Sequence, residues 1–94
     1  MITAIVMVTV ATDQIPEVAE TIAGIDGVSE VYSVAGNVDL IAVVRVRAFE
    51  DVAEVVAGRL NRVPGVRDTE THIAFRAYSR HDLEAAFAIG YDAD

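Results

Sequence analysis

The chain has 94 residues, 15 acidic against 7 basic for a formal charge of −8, 53% hydrophobic residues and no cysteine. This length suits one domain, the apolar content excludes a disordered chain, and the lack of cysteine excludes disulfide staples and thiolate chemistry. So acidic a surface is repelled by nucleic-acid phosphates and anionic lipid, and with no leader pattern and no apolar run near the roughly 20 residues that span a bilayer, the expected setting is the cytoplasm, with no direct nucleic acid and no membrane as partner.

The first element is ITAIVMVTV, residues 2–10, β-branched and apolar and so a strand. Asp13 is placed to cap the next helix, and Pro16 falls in its first turn, where a missing N–H costs little. Ile15, Val18, Ala19 and Ile22 have the spacing of one buried helical face. IDG closes that helix, and VSEVYSV alternates as a second strand. AGNVD leads into LIAVVRV, the third strand. Asp51 then opens a helix whose buried face is Val52, Val55, Val56 and Leu60. VPG ends it, and VRDTETHIAFRAY reads as a long last strand. Beyond Tyr78, Leu83, Ala86 and Phe87 recur at helical spacing with Gly90 as a C-terminal cap. The expected organisation is a domain over 1–78 and a short helical extension over 79–94.

Sliding the chain by 38 residues lays 2–35 on 40–73. Ala4 meets Ala42, Val6 meets Val44, Val8 meets Val46, Asp13 meets Asp51, Val18 meets Val56 and Gly27 meets Gly65. Two copies are too few for a solenoid and suit two equivalent strand–helix–strand units. The order β-α-β-β-α-β predicts a ferredoxin-like α+β fold, a four-stranded antiparallel sheet with both helices on one face and the first and third strands central. Those central strands are apolar on both faces. Ala4, Val6, Val8, Leu40, Ala42 and Val44 point one way, and Ile5, Met7, Ile41 and Val43 the other. The second set would form an exposed apolar patch in a monomer, so the expectation is a homodimer packed sheet to sheet through Ile5, Met7, Ile41 and Val43, a dimeric α+β barrel.

Few residues suit catalysis. The histidines are His72 and His81, on a strand and near a helix start, without metal-ligand clustering. The serines sit in no Gly-x-Ser-x-Gly elbow, and no glycine-rich phosphate loop is present. In Thr69-Glu70-Thr71-His72 alternation puts Glu70 and His72 opposite Thr69 and Thr71. The AGNVD connection is more informative. Gly36 supplies a positive φ for a tight turn, and Asn37 tolerates one. Asp39, between Val38 and Leu40, is a carboxylate that must be solvated or paired. Tyr32 and Ser33 lie nearby on the preceding strand. Turn N–H groups can hold a carboxylate and an aspartate can hold an ammonium, the two ends of a free amino acid. A plain turn accounts for Gly36 and Asn37 equally well.

The pattern EVYSVAGNVDLIAVVRV … VPGVRDTETHIAFRAY resembles the ligand-binding domain of the Lrp/AsnC family, the effector module of feast/famine transcription regulators. The features that carry it are Gly36 to Asp39, Pro64-Gly65-Val66, and Thr69 with Thr71. Ala35 departs from the threonine many members carry before the glycine. The resemblance covers residues 1–78 and implies the stand-alone form, without a helix-turn-helix. It implies sheet-to-sheet dimers assembled into a higher ring, a full-length regulator as partner, and an effector site at Gly36, Asn37, Asp39, Thr69 and Thr71. Tyr32 and Ser33 join that site by proximity.

The reading is a non-enzymatic, amino-acid-binding and oligomerisation module that needs no cofactor and no metal. A dimeric α+β barrel enzyme of the small monooxygenase or isomerase type, or a purely structural assembly module, would share the fold. The enzyme would need a polar residue pointing between sheet and helices, where Leu40, Ala42 and Val44 are expected.

Overall fold

The computed structural model describes residues 1–78 and Arg80, so the helix expected from Leu83, Ala86, Phe87 and Gly90 lies outside the described residues. The order is β1 (Ile2–Val10), α1 (Ile15–Ala23), β2 (Val28–Ser33), β3 (Leu40–Val46), α2 (Phe49–Val56) and β4 (Val66–Ala74), with 3₁₀ turns at Thr12–Gln14 and Leu60–Arg62. The strands form one sheet in the order β2-β3-β1-β4, every neighbour antiparallel. This is the ferredoxin-like α+β arrangement expected from the repeat. Among the described residues no helix is long and apolar enough to cross a membrane.

The period-two pattern decides the layers. Ala4, Val6, Val8 and Val10 of β1 and Leu40, Ala42, Val44 and Val46 of β3 are buried together with Val18 and Ile22 of α1 and Val52, Val55 and Val56 of α2. Each buried valine or leucine contributes about 1.5–3 kcal/mol, so this one layer supplies most of the driving force for folding. The alternate positions Ile5, Met7, Ile41 and Val43 are half-buried on the face that no helix among the described residues covers. The register pairs Ile5 with Val43 and Met7 with Ile41, so the four form one apolar block at the middle of the open face.

The repeat also sets two backbone positions. Gly27 and Gly65 are equivalent by the 38-residue shift and have φ of 97° and 98°. Each turn packs on the other unit's helix. A Cβ on Gly27 would fall 2.8 Å from Val55 Cγ2 of α2, and one on Gly65 would fall 2.7 Å from Val18 Cγ2 of α1. Both the conformation and the space therefore require glycine.

Several local expectations need correction. Asp13 does not cap α1. It lies exposed in the 3₁₀ turn, and Gln14 is the N-cap with no side-chain hydrogen bond. Backbone groups close that turn instead: Gln14 N–H donates to Ala11 O at 2.9 Å, and Ala11 N–H to Gly65 O at 2.9 Å. Pro16 does sit at the start of α1. α2 begins at Phe49 with Ala48 as N-cap, which puts Asp51 inside the first turn beside Glu50, where their charge favours the positive end of the helix dipole. Leu60 is fully buried but comes from the following 3₁₀ turn, since α2 ends at Val56. Among the described residues no non-glycine residue has positive φ, so Asn37 does not share that role with Gly36. β4 stops at Ala74, short of Tyr78, because Ala74 pairs with Thr3 near the beginning of β1 and little of β1 remains to pair with.

Candidate functional site

The β2–β3 hairpin spans residues 34–39. Gly36 at its tip has φ of 136°, and a Cβ built there would meet nothing within 4 Å, so the space beside its backbone is open. Asp39 is the hairpin's anchor. Its N–H donates to Val8 O at 3.0 Å, its carbonyl accepts from Val34 N–H at 3.0 Å, and its Oδ2 accepts from Val10 N–H at 2.8 Å. The ladder is irregular at that point: between Thr9 and Val10 the β1–β4 register shifts. The carboxylate accepts the Val10 N–H there. This is how Asp39 meets the cost of a charge at the mouth of a central strand.

Beside the hairpin, on the open side of the sheet, lies a cleft of about 480 Å³ lined by Met7, Thr9, Asn37, Val38, Asp68, Thr69 and Glu70. The pairing of β4 on β1 creates it, with Glu70 opposite Met7 and Asp68 opposite Thr9. Thr69 belongs by alternation to the helix side, yet it reaches both this cleft and a smaller one of about 230 Å³ with Asn61, Val66, Arg67 and Asp68. Its hydroxyl donates to Asn61 Oδ1 at 2.8 Å, which orients the side chain. The larger cleft thus offers two carboxylates, two hydroxyls, an amide and two apolar contacts. Carboxylates accept from an ammonium, and hydroxyls and an amide N–H₂ donate to a carboxylate. No basic side chain lines it.

The sequence-expected site residues divide. Asn37 and Thr69 line the cleft. Gly36 is the exposed neighbour of Asn37 in the hairpin, and Asp39 fixes the hairpin from behind through Val10. Thr71 faces the helices, in an apolar groove of about 200 Å³ with Phe49, Val52, Ala53, Val56 and Ala57. Ser33 is exposed at the end of β2. Tyr32 is engaged elsewhere: its hydroxyl donates to Glu30 Oε2. Asp68 and Glu70 are the residues that sequence reasoning missed. Alternation places them on the open face, but only the β1–β4 register places them beside Met7 and Thr9.

Glu30 and Tyr32 belong to a polar cluster on the outer edge of the sheet. Arg45 donates to Ser29 Oγ at 2.7 Å and to Glu30 Oε1 at 3.2 Å. The Tyr32 hydroxyl, and then Arg45, hold the Glu30 carboxyl below the usual range, and the same contact pushes the Tyr32 phenol up. At the opposite end of the open face from the hairpin, a second cleft of about 430 Å³ is lined by Met1, Thr3, Ile5, Arg45, Ala74, Phe75, Arg76 and Ala77. Among the described residues no group of three or more His, Cys, Asp or Glu could hold a metal ion.

The fold has counterparts in known proteins. The sequence model of the Lrp/AsnC ligand binding domain matches residues 3–83. Over 59 residues the chain is 44% identical to PH1916, an uncharacterized HTH-type transcriptional regulator of Pyrococcus horikoshii, covering 63% of this chain and 39% of that one. The chain therefore spans about 39% of the length of the curated relatives it matches. The crystal structure of TTHA0845 from Thermus thermophilus is similar with a TM-score of 0.80 at 42% identity, over 85% of this chain and 100% of that one. A feast or famine regulatory protein from M. tuberculosis, complexed with L-methionine, is similar with a TM-score of 0.67 at 27% identity, over 85% of this chain and 54% of that one.

Proposed function

The chain belongs to the Lrp/AsnC ligand-binding domain family, and from that premise we propose that it binds a free amino acid and conveys its presence to a transcription regulator of that type. The observation that carries this reading is the cleft beside the Gly36 hairpin. An amino acid is a zwitterion and needs an acceptor for its ammonium and donors for its carboxylate. Asp68 and Glu70 supply the first, and Thr9 and Asn37 the second, while Thr69, whose hydroxyl proton is on Asn61, offers a further acceptor. Met7 and Val38 offer an apolar wall for a side chain. The open space at Gly36 lets a ligand approach the hairpin backbone. In this reading Asn37 and Thr69 touch the effector and Asp39 holds the hairpin in position. The L-methionine complex of a structural relative supports the ligand class.

The role is non-enzymatic. A barrel enzyme would place its polar groups between sheet and helices, where Ala4, Val6, Val8, Leu40, Ala42 and Val44 are all fully buried and fill the space. With a charge of −8 the isolated chain does not hold duplex DNA, so a regulator must be reached through protein contacts. A melting-temperature screen against the twenty amino acids tests the reading. A ligand present at a hundred times its dissociation constant stabilises the folded state by about 2.7 kcal/mol, a shift of roughly 11–22 °C for a domain this small. If none of the twenty shifts the transition at millimolar concentration, the effector reading fails.

A further inference from the structure

The helix layer leaves one flank of the sheet uncovered. Among the described residues α2 packs mainly on β3 and β1. Beside it, toward β4, lies the apolar groove of about 200 Å³ lined by Phe49, Val52, Ala53, Val56, Ala57 and Thr71. Val52 and Val56 form its buried floor, whereas Ala53 and Ala57 are exposed and Phe49 is 63% exposed. A phenylalanine left in water at a helix start, beside a groove with no charged lining residue, marks a contact surface.

The chain itself supplies a segment of the right chemistry at the right place. β4 ends at Ala74, which pairs with Thr3, and Val46, three residues before Phe49, pairs with Ile2. The chain therefore leaves the sheet at the Phe49 end of the groove, and it continues to residue 94. The nine residues from Ala74 to Leu83 reach as far as about 30 Å, ample for a turn back over α2. Leu83, Ala86 and Phe87 have the spacing of one helical face. As a helix, Leu83 to Asp92 measures about 13 Å, against about 12 Å from Phe49 to Ala57. The charges agree with one direction. Beyond Ala57 stand Arg62 and Arg67, both exposed and neither in an ion pair among the described residues. The segment carries Asp92 and Asp94 after its apolar residues. Laid parallel to α2, it brings those carboxylates to these guanidiniums. Laid antiparallel, it would bring them to Glu50 and Asp51 in the first turn of α2.

We infer that residues 83–94 fold back on their own chain and lie in this groove parallel to α2, with Leu83 and Phe87 against Phe49, Val52 and Val56. The short tether gives the chain's own groove a higher effective concentration of the segment than a second copy can. Most of the segment lies past residue 83, where the match to the family domain ends, so the contact is additional to the shared fold. It does not rest on the effector reading.

The chain has no cysteine, which makes a single introduced thiol a clean probe. In the full chain, Ala53→Cys places one in the groove. Glu54→Cys places one at the next residue, in the cleft on the other flank of α2 with Asp26 and Arg47. Both positions are exposed, so neither change touches the core. The rate of modification by a thiol reagent reads the cover. Adding Phe87→Asp should speed modification of Ala53→Cys about fivefold or more, since it removes a buried aromatic anchor, and should leave Glu54→Cys unchanged. Phe87→Leu keeps an apolar anchor and should leave Ala53→Cys protected. A rate at Ala53→Cys indifferent to Phe87→Asp would overturn the docking, and so would an equal rise at both positions, which reports general unfolding. Protection at Ala53→Cys that disappears on dilution would give the groove to a second copy's segment and overturn the same-chain contact.

Discussion

Asp39 provides the sharpest test of how the hairpin is held. Asp39→Ala removes the acceptor of the Val10 N–H, which is bound at 2.8 Å in a half-buried setting, and leaves both backbone hydrogen bonds of residue 39 intact. A hydrogen bond to a charged group contributes about 1.5–3 kcal/mol, and an orphaned buried donor costs about 1–3 kcal/mol. Partial exposure of the carboxylate argues for the middle, about 2 kcal/mol, which in a domain under 100 residues lowers the melting temperature by roughly 8–16 °C. Asp39→Asn keeps an oxygen in the same place and loses only the charge assistance, about 1 kcal/mol. Thermal unfolding followed by circular dichroism measures both, and hydrogen exchange at the Val10 amide reports the bond directly. Alanine and wild-type proteins that melt together, with equal protection at Val10, would refute the anchoring argument. If Asp39→Asn melts as wild type yet binds an amino acid ten- to a hundredfold more weakly, the carboxylate holds the ligand's ammonium after all.

Other outcomes follow from the same structure. Gly36→Val should cost about 1–2 kcal/mol from backbone conformation alone, since φ is 136° and the Cβ meets nothing, whereas Gly27→Ala adds a clash with Val55 worth about 1–3 kcal/mol more; chemical unfolding ranks the two. Ile41→Asp or Val43→Asp should leave the helix-side core packed and turn a dimer into a monomer in light scattering, because a sheet-to-sheet interface would bury an unpaired charge. Tyr32 should ionise above the ordinary tyrosine value, and Glu30→Gln should lower that transition, read as the phenolate absorbance lost in Tyr32→Phe. The sign follows from the shifts. A raised Tyr32 value stabilises the fold below the unfolded-state value, a contribution lost as pH rises through the folded one. The depressed Glu30 value stabilises above the usual carboxylate range and is lost as pH falls.

The amino-acid sequence by itself determined the layers of this protein. Ile5 and Met7 against Ala4, Val6 and Val8, with the same split repeated 38 residues on, make β1 and β3 central because alternation is local to each strand and needs no knowledge of its neighbours. The paired glycines were visible as a repeat for the same reason. Helix starts were read less well. Aspartates at 13 and 51 suggest caps, but the first turns close on the carbonyls of Ala11 and Ala48, a choice made by chain path and not by side-chain preference. The site was only half legible. The Gly36 turn was visible because positive φ is a property of one residue. The Val10 N–H that occupies Asp39 is 29 residues away, beyond the last β1–β3 pair at Val8 and Leu40 and beside a register shift between β1 and β4. That same register brings Asp68 and Glu70 beside Thr9 and Asn37, and leaves Thr71 on the helix side. Long-range pairing is a property of two strands at once, and no pattern within either strand contains it.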